Sequence, residues 1–144
     1  MPEKSTTEKA RKEAREGKAP STQAGEFVHE EIEHIREGKH GARSAKQAIA
    51  IGLSKARRAG VRLPPPKGNA SAETRKKAER DSEAGSAGGR TPSKTRSRAT
   101  SKALEREGQS AASHEALSRQ ARKSARSRSA ASRKTAAKKA TRGR

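Results

Sequence analysis

No cysteine occurs anywhere in the chain, so disulfide frameworks, cysteine-ligated zinc ribbons and thiol nucleophiles are excluded together. Tryptophan and tyrosine are missing as well, and Phe27 is the only phenylalanine. So few aromatic side chains argue against the single-strand stacking platforms of ribonucleoprotein and oligonucleotide-binding folds. Long hydrophobic runs are also lacking. The longest small-apolar stretch, Ala48 to Leu53, falls far short of a membrane span, and the opening residues MPEKSTTEKARKEAREGKAPS contain no apolar segment that could act as a signal peptide. The expected location is therefore the cytoplasm, with no membrane partner.

Acidic residues are few beside basic ones. Sixteen Asp and Glu face 36 Lys and Arg, leaving a formal charge of +20 on 144 residues, and a chain of that charge seeks polyanions. Apolar residues make up 27%, and high charge with low hydrophobicity does not offset the entropy of ordering a whole chain. The fold class expected on this ground is a mostly disordered chain with short α-helices, a small N-terminal helical hairpin and no β-sheet.

The charge is unevenly placed. Residues 1 to 40 carry 8 basic and 9 acidic side chains, residues 41 to 68 carry 7 basic and none acidic, and residues 69 to 144 carry 21 basic and 7 acidic. Three regions are expected: a charged helical extension over 1–20, a small helical hairpin over 21–63, and a disordered Lys/Arg/Ala/Ser-rich tail over 64–144. Weak helical patches interrupt the tail at SKALERE from Ser101 and SHEALSRQARKS from Ser113.

Ser and Thr caps alternate with Gly stops in the first 60 residues. Ser5 with Glu8 forms a capping box that opens a helix closed by Gly17. A second helix starts at Ser21 or Thr22 and stops at Gly38. A third opens on a Ser44–Gln47 capping box and ends at Gly60, ahead of Pro64, Pro65 and Pro66. Arg-Glu-Gly recurs at 15–17, 36–38 and 106–108 as punctuation. In the second helix Ala24, Val28, Ile32 and Ile35 share one arc with Phe27 beside it, and in the third Ala45, Ile49, Leu53, Ala56 and Gly60 align the same way. Two such stripes joined by GKHGAR predict an antiparallel hairpin. Its sizeable apolar side chains are Phe27, Val28, Ile32, Ile35, Ile49, Leu53, Val61 and Leu63. They are too few to hold about 40 residues alone, so the hairpin is expected to form a homodimer or to fold on its target.

The segment HEEIEH, His29 to His34, invites comparison with the zinc-protease signature, but its histidines are five apart rather than four. That puts them about 140° apart on a helix and facing different ways. Glu26, Glu30, Glu33 and Glu37 lie on one side and read as a solvated acidic face, able to fold back on the basic tail when nucleic acid is absent. No metal, cofactor, catalytic residue or small-molecule substrate is expected, and the chain is not expected to be an enzyme.

The strongest functional signal lies from Ala116 to Arg144. Eleven cations, Arg119, Arg122, Lys123, Arg126, Arg128, Arg133, Lys134, Lys138, Lys139, Arg142 and Arg144, are spread among Ala, Ser and Thr with no acidic residue between them. Dispersed cations on small residues can follow phosphates, and affinity then comes from counterion release rather than base reading. A second candidate surface is the hairpin's own set: Arg43, Lys46, Gln47, Ser54, Lys55, Arg57 and Arg58. Within it Gln47, Ile51, Ser54 and Arg58 share an arc of about 60° opposite the stripe, with groups able to read a major groove.

Ser44, Lys46, Gln47, Ala48, Ile49, Ala50, Leu53, Ser54, Ala56 and Arg57 follow a Ser-x-Lys-Gln-Ala-Ile-Ala-x-x-Leu-Ser-x-Ala-Arg pattern. In this the stretch resembles the core of an uncharacterised bacterial family of short basic proteins, some described as DNA-binding; SAASHEALSRQAR from Ser110 is similar to longer members. The resemblance implies a bacterial setting and no mechanism. SRKTAAKKATRGR at the end is similar to tails of linker histones and bacterial histone-like proteins. Thr91-Pro92-Ser93-Lys94 resembles the turns by which linker-histone tails contact the minor groove. Together these point to a nucleoid-associated, histone-like accessory protein that binds double-stranded DNA without sequence preference. RNA or ribosome association fits the charge equally, and an adaptor role would have the hairpin bind a protein while the tail localises it.

Overall fold

The computed structural model describes residues 2–66, 70–86 and 93–127. Five α-helices carry names here: α1 (Lys4–Arg15), α2 (Pro20–Arg36), α3 (Ala45–Arg58), α4 (Ala72–Ser86) and α5 (Lys94–Glu105). A 3-10 turn, Ser110–Ala112, follows, and residues 114–127 are again helical. No strand occurs among the described residues. None of the described helices is long and apolar enough to cross a membrane.

Glycine ends the first three helices as the sequence predicts. Gly17, Gly38 and Gly60 have φ of 75°, 78° and 99°. Each closes a Schellman pair, for example Lys39 N–H to His34 O at 3.0 Å and Gly38 N–H to Ile35 O at 3.1 Å. Gly108 does not share this conformation, so the third Arg-Glu-Gly is not a helix stop of the same kind.

The starts agree less well. Ser44 caps α3 by accepting from Gln47 N–H at 3.2 Å, while Gln47 Oε1 reaches back to Arg43 N–H at 2.6 Å, one residue beyond the usual capping-box donor. α2 begins at Pro20, where a residue lacking an N–H forfeits no bond, rather than at Ser21 or Thr22. The Ser5–Glu8 box does not form. α1 starts at Lys4 with Glu3 as its cap, and Glu3 N–H donates to Glu30 Oε1 at 2.9 Å, so a contact with α2 decides that end.

α2 and α3 form the expected hairpin. α1 packs on α2, α4 packs on α3, and the 3-10 turn reaches both central helices. The expected stripes rotate in the folded protein. On α3 the buried positions are Ala45, Ala48, Gly52, Ala56 and Arg57, while Ile49 and Leu53 sit half-buried at the edge. Close approach explains this. A Cβ on Gly52 would lie 2.7 Å from Val28 Cα and 3.0 Å from Val28 Cγ2, so the α2 backbone rests directly on this glycine.

The expectation of a mostly disordered chain is overturned for the described residues. α4, α5 and the 114–127 helix all fall inside the 64–144 stretch that composition assigns to a disordered tail. Counting large apolar side chains misjudges this core. Among the described residues, nine of the twelve buried apolar residues are alanine, and only Phe27, Ile35 and Val61 are larger. Alanine loses no rotamer entropy and is the strongest helix former, and it lets backbones approach until their own atoms supply the dispersion contacts.

One cluster holds Ala10, Ala24, Phe27, Ala56 and Val61, with Leu53 and Leu63 against it. A second joins Ile35, Ala42 and Ala48 to Ala111 and Ala112 from the far end of the chain. Its closure is reinforced where Gly41 N–H donates to Leu104 O at 2.8 Å and Ala42 N–H to Gly108 O at 3.1 Å. The apolar cover that the hairpin lacks by itself thus comes from within the chain.

Two glycines in the hairpin should respond oppositely to the same substitution. Gly52→Ala must part α2 from α3, an overpacking cost of about 1–3 kcal/mol that outweighs the roughly 1 kcal/mol gained in helix propensity. Gly25, exposed in α2, has open space around its Cβ position, so Gly25→Ala should stabilise by about 0.5–1 kcal/mol. Urea midpoints followed by circular dichroism should move in opposite directions; an upward shift for both would mean the close approach does not persist in solution.

Candidate nucleic-acid interface

Most of the hairpin's candidate binding groups are occupied within the chain. On the outer arc of α3, Ser54 Oγ donates to Asp81 Oδ2 at 2.7 Å and Arg58 Nε donates to Asp81 Oδ1 at 2.8 Å. Asp81, 2% exposed, comes from α4, so the arc that could face a major groove carries α4 instead. Arg57 is buried and donates from Nη2 to Pro64 O at 3.1 Å. Lys55 Nζ pairs with Glu31 Oε2 across the α2–α3 contact, and the Gln47 side chain serves the helix cap. Arg43 and Lys46 remain exposed, Arg43 with its Nε 3.9 Å from Glu107.

The tail's cations divide in two. Arg128, Arg133, Lys134, Lys138, Lys139, Arg142 and Arg144 lie outside the described residues, as do Thr91 and Pro92 of the TPSK turn. Arg119, Arg122, Lys123 and Arg126 lie on the 114–127 helix and are all exposed. Their spacing of i, i+3, i+4 and i+7 puts them on one helical face. None forms an ion pair among the described residues. Charge counting along the sequence finds these residues; only the helical register shows that four of them face the same way.

Beside this stripe an open cleft of about 580 Å³ is lined by Lys46, Gln120, Lys123, Ser124 and Ser127. Its side chains are two ammonium groups, an amide and two hydroxyls, all able to donate to an anionic oxygen. Lys46 stands in the first turn of α3, where no acidic side chain offsets the positive end of the helix dipole. A phosphate chain laid along the Arg119–Arg126 face can continue over Lys123 to Lys46.

On the acidic side of α2, Glu37 is exposed and Glu26 and Glu33 are half-buried, but Glu30 is buried, and so is Glu31 beside that face. Glu30 is 6% exposed and Glu31 1%. His34 Nε2 lies 3.3 Å from Glu3 Oε1 and 3.7 Å from Glu30 Oε1. His40, from the α2–α3 turn, places Nε2 2.9 Å from Glu31 Oε1. His29 stays out in solvent, 4.0 Å from Glu33. The spacing argument separates His29 from His34 correctly, but it does not see His40, whose approach depends on how the turn folds back.

Residues 3–67 match the model of a family of unknown function (DUF6496). The match takes in α1, α2 and α3, includes the Ser44–Arg57 pattern, and stops before α4. No curated protein and no solved structure matches the chain.

Proposed function

We propose that this protein binds duplex DNA without sequence preference, as a nucleoid-associated accessory protein that neutralises phosphates and catalyses no reaction. The observation that carries the reading is the stripe of four exposed cations, without an ion pair among the described residues, on one face of the 114–127 helix, adjoining the Lys46 cleft. A helix with cations at this spacing offers them to a phosphate backbone without rearrangement. On the base-reading arc of α3, Asp81 of α4 engages Ser54 and Arg58 and the helix cap engages Gln47, which favours backbone contact over sequence readout. The chain's overall charge of +20 then steers association, and the seven cations of residues 128–144 add to the same term.

The test is the salt dependence of binding to random duplex DNA by the full chain and by a variant carrying Arg119→Gln, Arg122→Gln, Lys123→Gln and Arg126→Gln, which keeps helix-forming side chains. Each phosphate neutralised contributes about 0.9 to the slope of log affinity against log salt, so the variant should lose roughly 3 to 4 units of slope if all four cations engage. An unchanged slope and affinity would remove this face from the interface. Structured RNA that competes better than duplex DNA at matched salt would reassign the partner.

A further inference from the structure

Glu31, His34 and His40 bring one ligand atom each to within 4.8 Å of one another. They come from two elements: α2 supplies Glu31 and His34, and the turn before α3 supplies His40. The tautomer of a neutral His40 is set by its neighbours. Nδ1 lies 3.0 Å from Gly41 O, a carbonyl that only accepts, so a neutral His40 carries its proton on Nδ1 and presents the Nε2 lone pair. That lone pair faces Glu31 Oε1 at 2.9 Å. Glu31 is 1% exposed, and its Oε1 receives no hydrogen bond, as is also true of the buried Glu30 Oε2 nearby on α2. A carboxylate oxygen and an imidazole lone pair facing each other in a dry place need a positive species between them, a proton or a metal ion. Lys55 does not meet that need, because its ammonium takes the other oxygen, Oε2, and leaves Oε1 turned to His40.

We propose that Glu31, His34 and His40 form a binding site for a divalent transition metal of the zinc type. Two imidazoles and one carboxylate are a borderline-hard donor set that suits Zn²⁺ and Co²⁺ rather than Mg²⁺ or Ca²⁺. Bonds of about 2.1 Å impose ligand separations near 3.4 Å at a tetrahedral ion, so small side-chain adjustments close the trio. The carbonyl of Gly41 fixes the His40 tautomer and Lys55 fixes the carboxylate, both as outer partners of the ligands. The bound ion staples α2 to the turn that precedes α3.

The chain contains its own controls, since His29 is exposed and His114 lies at the start of the 114–127 helix. Chelator-stripped full-length protein titrated with Zn²⁺ by calorimetry should bind one ion per chain. With Co²⁺ it should develop the visible absorption of a four-coordinate site. His34→Ala and His40→Ala should each abolish both signals, and His29→Ala and His114→Ala should leave them intact. Circular dichroism of each variant checks that it is folded. X-ray absorption at the zinc edge of the unmutated protein needs no variant and should count two imidazoles in the first shell. Absence of one-to-one binding, binding that survives loss of both His34 and His40, or a shell with fewer than two imidazoles would each overturn the site; in the first case a proton shared between His40 and Glu31 fills the gap.

Discussion

Phe27→Ala should lower the stability of the protein by about 3–5 kcal/mol, close to the whole margin of a small domain. Phe27 is 1% exposed and is the largest side chain in a cluster otherwise built of Ala10, Ala24, Ala56 and Val61. Small residues of that kind cannot collapse into the space a benzyl group leaves, because their backbones already hold the helices apart, so the cavity persists and its cost is added to the lost transfer energy. Phe27→Leu retains most of the volume and should cost under about 1.5 kcal/mol. Urea unfolding followed at the helical band measures both. A loss of less than about 1 kcal/mol for Phe27→Ala would show that α1, α2 and α3 are not organised around this residue.

Lys55→Met should be comparably severe, at about 3–5 kcal/mol in the presence of chelator, for an electrostatic reason. Glu31 is the most deeply buried charge on α2, and Lys55 Nζ is its partner across the helix pair. Removing the ammonium leaves a carboxylate without water or counter-charge on that side. Replacing both residues, Glu31→Leu with Lys55→Met, removes the stranded charge as well and should recover most of the loss. A double-mutant cycle isolates the coupling between them. Should the double variant prove no more stable than Lys55→Met alone, the pair is not what costs the single variant its stability, and packing of the lysine stem would be responsible instead.

What could be read along the chain differs from element to element for local reasons. The three helix stops at Gly17, Gly38 and Gly60 were legible because a left-handed C′ position needs glycine whatever surrounds it. The Ser44 cap was legible because it is satisfied within four residues. The Ser5–Glu8 box was equally well formed as a pattern, yet a tertiary bond from Glu3 to Glu30 displaced it. α4 was not legible as a helix: AETRKKAERDSEAGS has no apolar stripe, and what seats it on α3 is the buried Ala78, Gly85 close against the backbone of Arg57, and a buried acid, Asp81, answering Ser54 and Arg58. Those same two residues, with Gln47 and Ile51, look from sequence like a groove-reading face, since a side chain that can bond a base edge can equally bond a carboxylate.

By itself the sequence determined that the described residues form helices and no strand, where the first three helices end, the absence of thiols, and the formal charge of +20 on which the proposed polyanionic partner rests. These follow from residue type and short-range spacing alone. Only the tertiary structure decided that alanine and glycine faces make a core, that α4 packs on α3, that Arg119, Arg122, Lys123 and Arg126 lie exposed on one face, and that His40 meets Glu31. Each of these depends on which backbones approach closely enough for small side chains to pack and for distant charges to pair, and that distance is a property of the assembled helices rather than of any stretch of chain.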